Sequence, residues 1–285
     1  MEEQTYTLAN CEIMRLDVDD EHYYYGGLID EEKQYYLSVT QILGIAAPFP
    51  QNLREWLRAT DYEESKAKFE NAGIRGSKLH DALDRLLRAE EIDLTQYPTQ
   101  YEKDAITTFI RVMRFLQPTK IVTEQIVADP NLKIAGTIDL RAIADVWKLE
   151  ALLNPSKYLE TDSEGDYQLK QQWLGMPDNK KRVSFIWDHK FSSTNAYNHK
   201  CQVTAYKYMY GKSYTGMKPS RAFTWRYSPR HKHGFDFTES TKPYKAFTRI
   251  YDTCIDYLGE FPAPPTLKVF PDKVRLYNSN DDVVK

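Results

Sequence analysis

The chain has 285 residues, of which 41% are hydrophobic and 28% are charged, and its formal net charge at pH 7 is −3. This composition is typical of a globular protein and excludes a disordered chain or a surface that is basic throughout. No stretch approaches the roughly 18 apolar residues of a membrane span, and the start MEEQTYTLAN contains no signal-peptide core. We expect an intracellular, cytoplasmic protein with no membrane partner.

The first part of the chain, residues 1–118, is expected to contain a hairpin followed by helices. Residues 22–40 are strand-like, and the pair Gly26-Gly27 indicates the turn of the hairpin. Helical periodicity follows in three segments, at 52–70, 74–90 and 98–116. The last two helices are expected to lead directly into a sheet.

The second part, residues 119–285, is expected to form that sheet and its covering helices. Strands are predicted at 120–128, 133–146, 183–190 and 220–227. Helices are predicted at 196–212 and 241–259. The polar stretch 148–182, with NPSK, DSEGD and MPDNKK, predicts a surface insertion. The order α-β-β-β-α-β indicates one compact α/β domain.

Two of the predicted strands carry an aspartate where apolar residues are usual. Asp139 lies in AGTIDL and Asp188 in FIWDHKFSS, and a buried charge is costly unless it is paired or binds metal. Alternate residues of a strand share a face, so Lys190 accompanies Asp188 while His189 turns away and leaves its backbone carbonyl as a further oxygen ligand. Mg²⁺ prefers oxygen ligands, and phosphoryl transfer uses such a cation with a positioned water. The pattern predicts a nuclease site.

Four segments occur in an informative order: RGSKLHDAL at 75–83, GTID at 136–139, DHK at 188–190 and CQVTAY at 201–206. Together they resemble the RecB-like exonuclease branch of the PD-(D/E)XK nuclease superfamily, including its phage-encoded members. The resemblance implies an α/β fold with a restriction-endonuclease-like αβββαβ core. The sequence adds an N-terminal helical region, and the insertion at 148–182 between the aspartate strands departs from the family pattern. It also implies a metal-dependent exodeoxyribonuclease that acts on DNA, with recombination or replication proteins as partners.

The resemblance assigns roles to individual residues. His80, Asp139, Asp188 and the His189 backbone carbonyl would bind one or two Mg²⁺ or Mn²⁺ ions. Lys190 would orient the attacking water or stabilise charge that develops on the phosphate. A lone histidine beside a leucine stripe is more often a surface or capping group, so the family pattern carries the His80 assignment.

Five further residues are candidates with open alternatives. Glu124 would act near the metal, or it is an exposed strand residue. Gln202 and Tyr206 share one helix face and would contact DNA or brace the lysine strand, or they form a mixed polar face with the tyrosine packed. Arg75 and Lys78 flank His80 and would contact the DNA backbone, or they are solvated surface charges.

Other cofactors are not expected. The cysteines Cys11, Cys201 and Cys254 show no C-x-x-C pairing, so neither an iron–sulfur cluster nor disulfides are predicted. A Walker A pattern is absent, so no nucleotide cofactor is predicted. Two alternatives to an exonuclease remain open at this point, namely an endonuclease that uses the same site and a catalytically silent module that binds nucleic acid or protein.

Overall fold

The structure is a computed structural model that describes residues 2–18, 21–28, 32–175, 181–191, 197–259 and 261–262. The strands are β1 (Glu2–Thr7), β2 (Cys11–Val18), β3 (Glu21–Leu28), β4 (Gln34–Ser38), β5 (Thr119–Asp129), β6 (Ile134–Asp145), β7 (Leu159–Thr161), β8 (Tyr167–Leu169), β9 (Arg182–Lys190), β10 (Arg221–Tyr227) and β11 (Phe235–Glu239). The α-helices are α1 (Val39–Ala46), α2 (Gln51–Ala59), α3 (Tyr62–Leu87), α4 (Gln100–Leu116), α5 (Val146–Leu153), α6 (Pro155–Tyr158), α7 (Tyr197–Ser213) and α8 (Tyr244–Leu258). The predicted α/β class is confirmed.

Nine strands form one mixed sheet in the order β1-β2-β3-β4-β6-β9-β10-β11, with β5 also paired to β6. The pairs β4–β6 and β9–β10 are parallel. Helices cover both faces, because successive β9 residues alternate between two cores. Phe185 and Trp187 pack with α3, α4 and α5. Ile186, which points the other way, packs with α1, α7 and α8.

The central elements match their predicted positions. Within the described residues α4, β5, β6, β9, α7 and β10 follow one another in the expected order, with short elements inserted between β6 and β9. The start of α4 can be predicted from the sequence because Thr99 and Glu102 form a capping box. The capping box satisfies backbone N–H groups that the first turn leaves without partners.

The N-terminal region contains a β-meander where the sequence suggested one hairpin with a turn at Gly26-Gly27. Both glycines lie inside β3, and β1 and β2 precede it. A Cβ on Gly26 would collide with the Ile13 side chain and meet the Tyr36 ring at 3.0 Å. The glycine therefore permits close packing within the sheet, and its role as a turn signal was wrong.

The helical segments 52–70 and 74–90 divide at a different point from the one predicted. The break between α2 and α3 comes at residues 60–61, where Asp61 caps α3 by accepting a hydrogen bond from the Glu63 backbone N at 2.9 Å. Gly73 lies inside the long helix α3, with free space around the position of a Cβ. The capping side chain sets the boundary because it satisfies N–H groups, whereas one glycine only weakens a helix.

The segment 148–182 differs most from its prediction as a surface insertion. Leu149 and Leu152 of α5 are fully buried, and Tyr167 and Leu169 of β8 join the same core. Most of its apolar residues are spaced so that they face inward, which the polar composition concealed, although Leu174 is exposed. Residues 176–180 of this segment, the first residue of the helix predicted at 196–212, and the C-terminal tail from 263 lie outside the described residues.

Candidate active site

The candidate site lies where two strands share one edge of β6. β5 pairs along the opposite edge. On the shared edge, β9 pairs with residues 140–145 and β4 pairs with residues 134–135. Between them, Gly136, Thr137 and Asp139 border a cavity of about 1110 Å³. The divergence of β4 and β9 thus opens the sheet at the GTID segment.

Asp139 and the β9 residues Asp188 and Lys190 meet in this cavity. The Asp139 Oδ2 accepts a hydrogen bond from the His189 backbone N at 2.6 Å. Asp188 is 2% exposed, and its Oδ2 lies 2.5 Å from the Lys190 Nζ. The His189 ring points away into an aromatic core, where its centroid lies 5.3 Å from that of Phe109. The alternation that the sequence predicted along β9 therefore holds.

His80 reaches the same cavity from α3, whose Leu79 and Leu83 are buried against the core. Its Nδ1 lies 3.6 Å from the Asp139 Oδ2. Burial, followed by the nearby Lys190 charge, lowers the pKa of His80 to about 4, while a hydrogen bond to the His189 backbone acts in the opposite direction. His80 is neutral at neutral pH, as a metal ligand must be.

The two aspartates repel each other in this environment. Burial and then the Asp188 charge raise the pKa of Asp139 well above its usual value, and the Lys190 ammonium opposes that rise. One lysine does not compensate two buried carboxylates, so the site favours additional positive charge.

Tyr206 and Gln202 of α7 form the floor of the cavity. Tyr206 is 3% exposed, Gln202 is 6% exposed, and the Gln202 Nε2 donates to the Tyr206 hydroxyl at 3.0 Å. A Cβ on Gly136 would lie 2.5 Å from the Tyr206 ring. Gly136 is therefore the residue that lets α7 approach β6, and this geometry supports a bracing role for the pair.

Glu124 lines the cavity beside Asp139, because the β5–β6 register sets the two residues opposite each other. Its φ of 48° is a left-handed conformation, which is rare for a residue with a side chain. Burial raises the pKa of Glu124, whereas the adjacent Arg15 guanidinium opposes the rise. Glu124 is thus a second carboxylate held near Asp139.

Several cavity residues were missed by the sequence reasoning. Arg15, Asp17 and Tyr24 come from the N-terminal meander, and no local motif marks them. Asp84 comes from α3 and Arg88 from the residue that follows its last turn, and the Arg88 Nη2 pairs with the Asp84 Oδ2 at 2.6 Å. Asp84 was detectable in principle, because it lies four residues after His80 on the same helix face.

Arg75 and Lys78 are not among the residues that line the cavity. The Arg75 guanidinium lies 4.7 Å from the centre of the Tyr101 ring. The Lys78 Nζ donates to the Gln96 carbonyl at 2.6 Å and lies over the Tyr97 ring. Arg75 therefore joins α3 to α4, and Lys78 joins α3 to the segment that leads into α4.

The lining of the cavity is acidic. Its carboxylates are Asp17, Asp81, Asp84, Glu124, Asp139 and Asp188, and its lysine and arginine residues are Arg15, Arg88 and Lys190. Six carboxylates against three cations leave an excess of negative charge. Phosphate would be repelled by such a surface unless bound cations intervened.

The donor set is chemically suited to Mg²⁺ or Mn²⁺, although its side chains are engaged with other groups. Within the part of the chain that the structure describes, no three His, Cys, Asp or Glu side chains are gathered closely enough to share one metal ion. Asp139 binds the His189 N–H and Asp188 binds Lys190, so a donor and a cation of the protein itself occupy the carboxylates. Two hard carboxylates, a carbonyl and a neutral imidazole fit these ions.

Comparison with known proteins gives no family for this chain. No protein-family model matches it, and no curated protein matches it. Among the described residues, no helix is both long and apolar enough to cross a membrane.

Proposed function

We propose that the chain is a metal-dependent deoxyribonuclease that hydrolyses phosphodiester bonds as an exonuclease, on a PD-(D/E)XK-type core. The observation that carries this proposal is the convergence of Asp139, Asp188 and Lys190 in one polar cavity. The cavity lies beside the part of β6 that pairs with neither β4 nor β9. His80 joins them from a separate helix. The net negative lining supports the need for a divalent cation.

In the proposed site Asp139, Asp188, His80 and the His189 carbonyl would hold one or two Mg²⁺ or Mn²⁺ ions. When bound, such an ion polarises the phosphate and lowers the pKa of a coordinated water. Lys190 would orient the attacking water or stabilise negative charge as the phosphorus–oxygen bond breaks.

Tyr206 and Gln202, on the floor of the cavity, act by fixing the positions of neighbouring groups. Tyr206 supports Gly136 sterically, and Gln202 fixes the tyrosine hydroxyl. Burial, with the Asp188 charge adding to it, raises the pKa of Tyr206 well above its usual value. The phenol therefore stays protonated and neutral beside the two carboxylates, and it does not act as a base.

The test is a time course on end-labelled linear DNA and on closed circular DNA, single- and double-stranded, with Mg²⁺, Mn²⁺ or EDTA. Asp188→Ala and Lys190→Ala are assayed in parallel. We expect metal-dependent loss of linear DNA alone, absent in both variants, since exonucleases need an end. Cleavage of the circle would identify an endonuclease. DNA binding without turnover in any metal would favour a binding module, and cleavage by Asp188→Ala would refute the assigned site.

A further inference from the structure

A buried arginine of the N-terminal meander reaches the proposed site. Arg15, on β2, is 9% exposed and lines the cavity. Its Nη1 lies 3.2 Å from the Glu124 Oε2 and 3.3 Å from the Thr137 Oγ1. Its Nε donates to the Asp17 Oδ1 at 2.7 Å. One guanidinium thus connects β2, β5 and β6 beside Asp139.

The contacts of the Arg15 side chain distinguish a role in binding phosphate from a role in positioning neighbouring side chains. An arginine that binds DNA phosphate presents an open, bidentate face to the ligand. In Arg15 the third guanidinium nitrogen is occupied as well, because Nη2 lies 3.4 Å from the His22 Nε2. A buried guanidinium with partners at all three nitrogens is suited to fixing its neighbours and not to binding a phosphate.

Glu124 requires such a fixed neighbour. Its left-handed backbone lies within β5, and a conformation of this kind persists only where the surroundings impose it. Glu124 and Asp139 line the same cavity, and the β5–β6 register places them on facing positions of neighbouring strands. The Arg15 guanidinium, 3.2 Å from the Glu124 carboxylate, holds it on this side of the sheet.

We propose that Arg15 is a positioning residue that holds the Glu124 carboxylate toward the metal ions at Asp139 and Asp188. This inference rests on the proposed function and extends the active site into the N-terminal meander. Residues that orient a metal-site group affect metal affinity or activity by about 10–100-fold when they are removed. A defect of that size is expected for Arg15→Gln.

The experiment is a double-mutant cycle on the full chain with Arg15→Gln, Glu124→Gln and the double variant. The readouts are kcat and KM on end-labelled DNA, and Mn²⁺ affinity of the DNA-free protein by electron paramagnetic resonance. Arg15→Gln should lower kcat and weaken Mn²⁺ binding, with KM nearly constant. In the Glu124→Gln background the same substitution should add nothing, because the group it positions is already altered.

Arg141→Gln is the matched control. The Arg141 Nε donates to the Gln125 Oε1 at 2.9 Å, one residue further along β5, and Arg141 is not among the cavity-lining residues. It should leave kcat, KM and Mn²⁺ affinity unchanged. If Arg141→Gln caused the same defect as Arg15→Gln, the defect would reflect general disruption of β5, and the proposal would be overturned.

Three outcomes overturn the role of Arg15. They are additive effects in the double variant, a raised KM with unchanged kcat, and tighter Mn²⁺ binding, which is what loss of a nearby positive charge alone would produce. If Arg15→Gln fails to fold, Arg15→Lys retains the charge without the planar fork, and its full activity would also overturn the role. A wild-type chain that cleaves no DNA refutes the proposed function, whereas the Mn²⁺ cycle still tests Arg15.

Discussion

The cavity has two unlike sides, and their difference shows how this site is held. The floor consists of Gly136, Asp139, Asp188, Gln202 and Tyr206. The helix wall consists of the α3 residues His80, Asp81 and Asp84 and of Arg88, which directly follows α3. Floor residues are fixed by burial and steric contact, with Asp188 only 2% exposed. The acidic side chains of the wall form ion pairs that reach solvent, Asp81 with Arg85 and Asp84 with Arg88, whose side chain is 54% exposed. Substitutions should therefore change stability strongly at the floor and weakly at the wall.

The largest expected effect is on activity, from removal of charge at the floor. Asp139→Asn should lower kcat by about 100-fold or more, the scale on which loss of one charge-stabilising group acts. In EDTA at neutral pH it should also raise the Tm. Burial and the Asp188 charge disfavour the ionised carboxylate in the folded state, and an asparagine can still accept the His189 hydrogen bond.

Kinetics and thermal unfolding of Asp139→Asn are compared with those of Asp145→Asn. Asp145 lies at the far end of β6 in a half-exposed ion pair with Arg182, at 3.2 Å, and its substitution should leave cleavage unchanged. A lower Tm for Asp139→Asn would contradict the repulsion between the two aspartates.

The next largest effect is on stability, at the contact between β6 and α7. Gly136→Ala should reduce the free energy of unfolding by about 1–3 kcal/mol, as overpacking does in a well-filled core, because the new methyl group meets the Tyr206 ring. Gly73→Ala, inside α3 with open space around it, should instead stabilise by up to about 1 kcal/mol. Urea unfolding measures the change in the free energy of unfolding for both variants. If both changes have the same sign, the close approach of α7 to β6 does not require a glycine at position 136.

An effect on stability of the same order is expected from the floor hydrogen bond. Tyr206→Phe should cost about 1–3 kcal/mol, because the buried Gln202 amide loses its acceptor. Tyr251→Phe removes a comparable bond, from its hydroxyl to the Leu132 carbonyl at 3.0 Å, far along α8. Both variants should lose stability, whereas only Tyr206→Phe should reduce kcat. A normal kcat in Tyr206→Phe would limit the floor to a packing role.

The smallest effect is expected at the helix wall. Arg88→Ala removes the ion pair with Asp84, and exposed pairs contribute about 0–1 kcal/mol. Arg114→Ala, which removes a similar pair with Asp166 on the outer surface, should match it within error in urea unfolding. A loss well above that of Arg114→Ala would mean that the wall is structurally coupled to the floor.

Local spacing along strands and helices explains which features of the site could be predicted from the sequence. Asp188, His189 and Lys190 are neighbours in the chain, so strand alternation alone predicted which side chains share a face. His80 and Asp84 are related by helical spacing in the same local way. Gly26 was misread because its signal, a missing side chain, fits a turn and a close sheet contact equally well. The segment 148–182 was misread because composition does not reveal where a few apolar residues point.

By itself, the sequence determined the α/β class, the order of the central strands and helices, and the local spacing of the candidate catalytic residues, because these depend on periodicities of two and 3.6 residues. Only the tertiary structure decided that β4 and β9 diverge along one edge of β6 and that Arg15 comes to lie beside Glu124. Those two residues are 109 positions apart. Contacts at such separation follow from strand register and core packing, which no local pattern specifies.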